Sequence, residues 1–294
     1  MILNYFIFIN YKMDNKQLDN KQLDNKQLDK YINKIICGDN IKIIKTLPDN
    51  CIDLVVTSPP YDDIRDYNGY KFNLDTFKSL AKELYRIMKD GGIVVWVVGD
   101  KVKNGSESGT SFKHALGFMN VGFKLHDTMI YEKNTSSFPA KRAGKRYTQI
   151  FEYMFVLCKG KIKTGNLICD KANKWAGVTN WGKNTQRDKS GVLKQTSDIK
   201  KVPDFSPRNN IWRYVVGKGF NSSDSESHEH PAIFPEKLAE DHIISWSNEN
   251  DIVLDPFNGS GTTCKMAKKN NRRFIGMDIS MEYCKLSDKI LKKY

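Results

Sequence analysis

Cysteine is sparse in this 294-residue sequence, and its six cysteines are not paired along the chain. They stand apart, without a Cys-x-x-Cys spacing, at Cys37, Cys51, Cys158, Cys169, Cys264 and Cys284. Disulfide frameworks and structural zinc sites use closely spaced cysteines, so we expect neither. Scattered single cysteines are typical of a reducing compartment, and we predict a cytoplasmic protein.

Long apolar runs are also absent. No stretch approaches the ~20 apolar residues that a membrane-spanning helix needs. Residues 1–11 are apolar, but no basic segment precedes them and no small-residue cleavage site follows, so we expect neither a signal peptide nor a membrane anchor. Residues 15–29 repeat Asn-Lys-Gln-Leu-Asp three times, and this period spreads the leucines around a helix instead of along one face. We therefore predict a disordered, low-complexity tail at residues 1–30.

Acidic residues are outnumbered by basic ones. The chain has 47 Lys and Arg against 34 Asp and Glu, a net charge of +13. Residues 159–218 alone hold fourteen Lys and Arg and four Asp. A bias of the whole composition would spread the charge evenly, so a functional basic region is the favoured interpretation. Isolated aromatic residues in the same segment suit base stacking beside phosphate contacts, which indicates a nucleic-acid partner.

The rest of the chain alternates short apolar runs, typical of buried strands, with amphipathic helical stripes. This alternation predicts a doubly wound α/β fold. Gly91-Gly92 is expected to end a helix, and residues 222–229 to form a polar linker. Strands are predicted near 35–39, 52–57, 93–98, 125–132, 150–158, 251–255 and 273–278, and helices at 40–47, 74–89, 111–120, 262–269 and from residues 235 and 282.

A glycine-rich turn follows the strand near 251–255. It reads Asp255-Pro256-Phe257-Asn258-Gly259-Ser260-Gly261-Thr262-Thr263, and its glycines let the backbone turn sharply and approach a ligand closely. Asp278 ends the next predicted strand, nineteen residues beyond Gly259, an offset at which an acid binds ribose hydroxyls in nucleotide-binding βαβ units. No Gly-Lys-Ser/Thr follows the turn, which disfavours a triphosphate site and favours a nucleoside cofactor.

A second turn, Ser58-Pro59-Pro60-Tyr61, follows the apolar run at residues 52–56. Its prolines make the backbone rigid and leave carbonyl groups free to accept hydrogen bonds. An exocyclic amino group of a base is a weak nucleophile because its lone pair is delocalised into the ring. We predict that Ser58 Oγ and the Pro59 carbonyl accept its two hydrogens and expose the lone pair to a methyl sulfonium, while Tyr61 stacks on the ring. Ring-carbon methylation of cytosine is disfavoured, since no cysteine nucleophile stands beside a proline.

With these two motifs in this order, the chain resembles the beta-class amino-methyltransferases of DNA. In that family the catalytic Pro-Pro-Tyr precedes the DNA-reading region, and the S-adenosylmethionine loop follows it. The similarity covers residues 34–158 and 228–294. Further landmarks of the family are Gly38-Asp39, Tyr153-Met154-Phe155-Val156-Leu157 and His230-Pro231-Ala232-Ile233-Phe234-Pro235.

The resemblance implies a Rossmann-like, seven-stranded, mostly parallel sheet in circularly permuted order. The chain then divides into a catalytic half at 31–158, a target-recognition insert with a linker at 159–228, and an S-adenosylmethionine-binding half at 229–294. Cofactor contacts are implied for Asp39 on the adenine side and for Phe234 and Pro235 on the methionine side. The other implied cofactor-binding residues are Asp255, Pro256, Phe257, Gly259, Gly261, Thr262 and Asp278.

Family members with Ser before Pro-Pro-Tyr mostly methylate cytosine N4, whereas Asp or Asn there mostly marks adenine. Ser58 therefore favours a methyltransferase that acts on cytosine N4 in duplex DNA, with base flipping and direct in-line transfer. Adenine-N6 methylation is the alternative. Methylation of RNA or protein glutamine, and a non-catalytic DNA-binding protein on the same scaffold, are remoter ones.

Duplex DNA is the expected partner, and six basic residues are predicted to bind it. Lys141, Arg142, Lys145 and Arg146 form a basic run expected beside the pocket, with an ordinary solvated charge run as the alternative. Arg208 and Arg213 lie in the insert and either bind DNA or anchor the insert. No metal ion is expected, because direct methyl transfer needs none. A cognate restriction endonuclease is considered as a further partner, and the sequence leaves monomer and homodimer open.

Overall fold

A mixed eight-stranded β-sheet carries the fold in the computed structural model of the protein. The structure describes residues 26–60, 72–135, 145–179, 185–195, 201–217, 219–230 and 233–294. The chain divides into two compact units. The larger comprises Met1–Asn166 and Asn210–Tyr294, and the smaller comprises Leu167–Asn209.

The large sheet belongs to the larger unit. In the described ranges the strands are β1 (Lys34–Cys37), β2 (Ile52–Thr57), β3 (Met88–Val98), β4 (Val102–Lys103), β5 (Ser106–Glu107), β6 (Lys124–Lys133), β7 (Phe151–Cys158), β8 (Lys171–Ala172), β9 (Thr185–Arg187), β10 (Leu193–Gln195), β11 (Phe205–Ser206), β12 (Ile211–Tyr214), β13 (Ile252–Asp255) and β14 (Arg273–Asp278). The sheet order is β1-β14-β13-β2-β3-β7-β6-β12. Neighbouring strands are parallel except at β7, which runs antiparallel to both β3 and β6. The C-terminal strands β13 and β14 lie between β1 and β2, so the mostly parallel sheet in permuted order is confirmed.

Helices cover both faces of the sheet. In the described part of the chain they include α1 (Asn40–Ile44), α2 (Leu74–Ile87), α3 (Thr110–Asn120), α4 (Glu236–Trp246), α5 (Thr262–Lys269) and α6 (Met281–Leu291), with a 3-10 helix at Ser225–Glu229. One core contains side chains of α1, α2 and α3, and the other contains side chains of α4, α5 and α6. Neighbours on β3 alternate between them, since Val94 faces the first core and Val95 the second. This is why the strand is apolar at successive positions.

The connections that follow β2 and β13 run over opposite faces of the sheet. These two strands are parallel neighbours, with Val253 opposite Leu54 and Leu254 opposite Val55. After β2 the chain crosses one face through α2 to β3, whereas after β13 it crosses the other face through α5 to β14. A crevice opens at the carboxyl ends of strands where crossovers diverge in this way, and open α/β sheets bind ligands there.

The sheet has eight strands where seven were predicted. The eighth, β12, pairs in parallel with β6 and lies inside the predicted insert at 159–228. Trp212 and Tyr214 point into the second core while Ile211 and Arg213 are exposed. The smaller unit, Leu167–Asn209, is therefore narrower than the predicted insert.

Two predicted boundaries near the first core were wrong. The helix predicted at 74–89 ends at Ile87, and Gly91-Gly92 lies inside β3 instead of ending the helix. Gly91 donates its N–H to the Lys159 carbonyl, and Lys159 returns an N–H to the Gly92 carbonyl. Strand pairing with the segment after β7 therefore overrides the helix-stopping tendency of the glycines.

The predicted disordered tail at residues 1–30 extends too far. Residues 26–29 form a helical turn in which Leu28 is buried in the first core. The tail prediction for residues 1–25 falls outside the described part of the chain. Burial of one leucine of the third repeat thus brings the end of the repeat into the fold.

The smaller unit contains two short antiparallel pairs. Strand β9 pairs with β10, and β8 pairs with β11. Among the described residues of the whole chain, no helix has the length and apolar character needed to cross a membrane.

Candidate functional site

A pocket opens at the carboxyl ends of β1, β2, β13 and β14. Its empty volume is about 810 Å³, counting the space at its open mouth. The lining residues come from five segments: Gly38, Asp39, Asn40; Ser58, Pro60; His230, Ile233, Phe234; Pro256, Phe257, Asn258, Gly259, Ser260, Thr262; and Asp278, Ile279, Ser280, Tyr283. Both sequence motifs therefore contribute to one pocket.

The turn after β2 supplies Ser58 and Pro60 to this pocket. Pro59 between them is buried and is not a lining residue. Tyr61 lies outside the described residues. The structure thus brings the predicted acceptor Ser58 to the pocket, while the acceptor role of the Pro59 carbonyl and the stacking role of Tyr61 stay predictions.

The loop after β13 needs glycine at two positions. Gly259 has a φ of +49° and Gly261 a φ of +86°, in the left-handed region that side chains disfavour. A Cβ at Gly259 would lie 2.9 Å from His230 Nε2, so the loop and the His230 ring are in close contact. Gly259 and Thr262 line the pocket, whereas Gly261 lies behind it as the cap residue of α5.

Asp278 stands at the end of β14 and faces the same loop. One carboxylate oxygen accepts the Gly259 N–H at 2.8 Å, and the other accepts the Ser280 N–H at 2.9 Å. Burial raises the pKa of Asp278, and these two backbone N–H groups oppose the rise. Each oxygen keeps a lone pair that can accept a further hydrogen bond.

Asp39 and Asn40 extend the pocket from the end of β1. Asp39 caps α1 by accepting the Lys42 N–H at 3.0 Å. Asn40 is buried and donates from Nδ2 to the Pro256 carbonyl at 2.9 Å, which ties α1 to the loop after β13. The predicted cofactor contact Asp39 is therefore close to the predicted loop.

Asp255 was predicted to contact the cofactor, but the structure places it beneath the pocket. It is 2% exposed and is not a lining residue. Its Oδ1 accepts the Thr57 hydroxyl at 2.6 Å and the Phe257 N–H at 3.0 Å. Burial raises the pKa of Asp255 to about 6. Sequence reasoning missed Thr57, because a threonine at a strand end has no distinctive pattern.

The segment before α4 supplies Ile233 and Phe234 to the pocket. Pro235 is buried as the cap residue of α4 and is not a lining residue. His230 packs edge-on against Tyr283, with ring centroids 4.4 Å apart. Pro231 and Ala232 lie outside the described residues.

Comparisons with known proteins agree with this geometry. Residues 52–289 match the N6/N4 methyltransferase family model, which is described as DNA methylase. The chain belongs to the DNA methylase family.

One relative is particularly similar to this DNA methylase. The orphan methyltransferase M.BamHII of Bacillus amyloliquefaciens is 55% identical over 250 residues, which covers 85% of this chain and 92% of that protein. Two solved structures share the fold. PvuII DNA methyltransferase (cytosine-N4-specific) has a TM-score of 0.64 and 21% identity, covering 86% of this chain and 84% of that chain. The M1.HpyAVI–SAM complex has a TM-score of 0.54 and 22% identity, covering 88% of this chain and 98% of that chain.

A buried ion-pair cluster supports the pocket of the DNA methylase from behind. Lys265 on α5 is 1% exposed and lies 2.6 Å from both Asp224 and Glu236. Burial alone would lower the pKa of Lys265, but its hydrogen bonds to these two carboxylates outweigh that and raise the pKa. The cluster ties α5 to the segment 222–236, which carries His230 and Phe234. Residues 222–229 were predicted to be a polar linker, but Asp224 is buried and 225–229 form a 3-10 helix.

The predicted DNA-binding residues fall in different places. Lys145 and Arg146 are exposed just before β7, while Lys141 and Arg142 lie outside the described residues. Arg213 on β12 is exposed and bonds to Glu132 at 2.6 Å. In the smaller unit, Arg208 bonds to Asp170 at 2.6 Å. Both arginines thus have carboxylate partners, and their predicted contacts with DNA stay predictions.

Proposed function

We propose that this DNA methylase transfers a methyl group from S-adenosylmethionine to the N4 amino group of cytosine in duplex DNA. One observation carries the proposal: Ser58 and Pro60 open into the same pocket as Gly259 and Asp278. An acceptor for an amino group and a binding loop for a nucleoside cofactor thus face one space. Direct transfer between two bound molecules requires that arrangement.

The residues of the pocket fit S-adenosylmethionine. Asp278 presents two carboxylate oxygens with spare lone pairs beside the Gly259 turn, suitable for ribose hydroxyls. Asp39 would bind on the adenine side, and the loop Pro256–Thr262 would enclose the middle of the cofactor. Phe234, with Pro235 fixing the backbone behind it, would bind on the methionine side. When bound, S-adenosylmethionine supplies a methyl group carried on a positively charged sulfur.

Ser58 and the Pro59 carbonyl would accept the two amino hydrogens of cytosine, and Tyr61 would stack on its ring. Two acceptors draw the nitrogen toward a tetrahedral geometry and expose its lone pair. Water, reached directly or through the Ser58 hydroxyl, would then take the proton that the nitrogen loses. A paired base cannot reach the pocket, so the cytosine must be flipped out of the duplex. Flipping costs about a few kcal/mol in unstacking and unpairing energy.

The choice of cytosine rests on Ser58 before the two prolines. Adenine N6 is the second candidate, because the matched family model covers both amino groups.

Contacts with DNA would come from the predicted basic residues. Those before β7 are Lys141, Arg142, Lys145 and Arg146, and those in the predicted insert at 159–228 are Arg208 and Arg213. Phosphate contacts of this kind position a protein on DNA but carry no sequence information. Target recognition would therefore depend on other groups of the insert.

The test uses the full chain, unmethylated duplex DNA and S-adenosylmethionine with a deuterated methyl group. The DNA is then digested to nucleosides and analysed by mass spectrometry. Deuterated N4-methylcytosine is the expected product. Deuterated N6-methyladenine would select the second candidate, and no labelled nucleoside would refute the proposed activity.

A further inference from the structure

Thr57 and Asp255 form a hydrogen bond beneath the pocket. The Thr57 hydroxyl donates to Asp255 Oδ1 at 2.6 Å, and both residues are fully or almost fully buried. Thr57 is the last residue of β2, directly before Ser58. Asp255 is the last residue of β13, directly before the loop at 256–262. This side-chain hydrogen bond therefore joins the two strand ends from which the Ser58 turn and the loop at 256–262 begin.

The same carboxylate oxygen reaches further into the loop. Asp255 Oδ1 also accepts the Phe257 N–H at 3.0 Å, so one atom holds the end of β2 and the first turn of the loop together. Neither Thr57 nor Asp255 lines the pocket. Contact with a ligand thus does not explain this arrangement.

A second link runs parallel to the first. The Thr263 hydroxyl on α5 donates to the Val56 carbonyl of β2 at 3.1 Å. The loop at 256–262 is therefore attached to β2 at both of its ends. Leu54 and Val55 of β2 pair with Val253 and Leu254 of β13, and these side-chain bonds extend the connection to the carboxyl ends of the strands.

We propose that Thr57 and Asp255 are positioning residues that fix the Ser58 turn relative to the loop at 256–262. This inference rests on the proposed methyl transfer. A displacement of about 1 Å between two reacting groups can cost on the order of a hundredfold in rate. Binding of each molecule depends on its own turn and tolerates such a displacement. The bond between Thr57 and Asp255 therefore controls the rate of transfer rather than the affinity for either ligand.

The test compares substitutions at Thr57 in the full chain. Thr57→Val keeps the shape but removes the hydroxyl, and Thr57→Ser keeps the hydroxyl. We expect kcat to fall about tenfold or more in Thr57→Val, with the Kd values for S-adenosylmethionine and DNA within about threefold of wild type. Thr57→Ser should retain wild-type turnover. Thr46→Val, the same substitution at an exposed threonine two residues beyond the end of α1, is the matched control and should not change kcat.

Asp255→Asn separates geometry from charge. Asparagine keeps an Oδ1 that accepts from Thr57 and Phe257, so turnover should stay within about threefold of wild type. The double variant Thr57→Val/Asp255→Asn should show the same fold-decrease in kcat as Thr57→Val alone. Should Thr57→Val fail to fold, Thr57→Cys replaces the hydroxyl by a weak S–H donor, and its kcat must fall in the same way.

The outcomes are distinguishable from those for the proposed function. Without methyl transfer by the wild-type chain, the proposed function itself fails. With wild-type transfer, an unchanged kcat in a folded Thr57→Val protein would overturn the positioning role, even if its melting temperature were lower. A loss of cofactor affinity that accounts for the whole loss of kcat/KM would overturn it as well.

Discussion

Gly259 donates its backbone N–H to the carboxylate of Asp278 at 2.8 Å, across nineteen residues of sequence. The second carboxylate oxygen accepts the Ser280 N–H. Asp278 therefore holds the glycine turn and the start of the segment leading into α6 in fixed positions. Each carboxylate oxygen thus already accepts one backbone N–H from the protein itself.

Replacing Asp278 by asparagine should weaken cofactor binding. An asparagine amide cannot accept from both Gly259 and Ser280, and it lacks the charge that strengthens bonds to ribose hydroxyls. We expect the Kd for S-adenosylmethionine to rise by about ten- to a hundredfold, since bonds to charged groups contribute about 1.5–3 kcal/mol. Isothermal titration calorimetry measures the change directly.

Asp188→Asn is the matched control for Asp278→Asn. The Asp188 carboxylate also accepts two backbone N–H groups, from Ser190 and Val192, but it belongs to the smaller unit. Its substitution should leave the affinity for S-adenosylmethionine unchanged. If Asp278→Asn bound the cofactor as tightly as wild type, the ribose role would be wrong.

Replacing Ser58 by alanine should reduce turnover without weakening cofactor binding. The substitution removes one of the two proposed acceptors of the amino hydrogens. Loss of one preorganised polar group in a transition state costs about 10²–10³ in kcat, and we expect a loss near the lower value. The measurement is single-turnover transfer of labelled methyl groups to DNA, with the cofactor Kd determined in parallel.

Ser79→Ala serves as the control for Ser58→Ala. Ser79 is exposed on α2 and donates to the Asp75 carbonyl within that helix. Its removal should leave turnover unchanged. Normal turnover in Ser58→Ala would exclude Ser58 from the mechanism, whereas loss of cofactor binding would show that Ser58 acts in another way.

Buried Asp255 should make stability depend on pH. Its pKa of about 6 lies above the ordinary value of 3.8. Between these two pH values the Asp255 carboxyl is therefore mostly protonated in the folded protein and mostly ionised in the unfolded chain. Stability from this group is complete below about pH 4 and is lost as the pH rises through 6. Asp255→Asn does not titrate, so its stability relative to wild type should rise by about 3 kcal/mol between about pH 4 and pH 7.

Chemical denaturation of both proteins across this range measures the difference. Subtraction removes the effect of other buried groups. His242, whose pKa burial lowers to about 3, acts in the opposite direction, because its stabilisation is lost as the pH falls below its ordinary pKa. A difference that stays constant with pH would contradict the elevated pKa of Asp255.

Replacing Lys265 by methionine should destabilise the protein strongly. The substitution leaves Asp224 and Glu236 buried without their shared cation. Breaking a buried ion pair costs about 3–5 kcal/mol. Lys289→Met is the control, since Lys289 is exposed and lies 3.7 Å from Glu226, two residues beyond Asp224 in the sequence; a surface pair contributes about 0–1 kcal/mol. Equal decreases in the free energy of unfolding for Lys265→Met and Lys289→Met would refute the stabilising role of the buried Lys265 ion pairs.

The sequence was sufficient for the elements that depend on local pattern. Strand β2 and helix α5 begin and end where predicted, because apolar runs and flanking polar turns define them. Gly259 and Asp278, which the sequence relates by a nineteen-residue offset, form a hydrogen bond in the structure. The chain order of the two motifs identified the family.

Features that depend on distant partners could not be predicted. Strand β12 has only two buried residues and forms because β6 lies beside it, about eighty positions earlier. The acids that surround Lys265 come from 41 and 29 residues away. Asp255 belongs to the cofactor-loop motif, but its orientation toward Thr57 depends on the pairing of β13 with β2. Only the folded chain reveals such contacts.

Removing Lys145 and Arg146 together should weaken DNA binding and reduce its salt dependence. Both are exposed just before β7, whose start pairs with the carboxyl end of β3, so they lie at the same edge of the sheet as Ser58. Each lost phosphate contact lowers the slope of log K against log salt by about 0.9, and the Lys145→Ala/Arg146→Ala protein should lose nearly twice that. Fluorescence anisotropy over a salt series measures the slope. Lys78→Ala/Lys82→Ala on exposed positions of α2 removes equal charge and should leave the slope unchanged; similar slopes for wild type and both double variants would exclude contacts at Lys145 and Arg146.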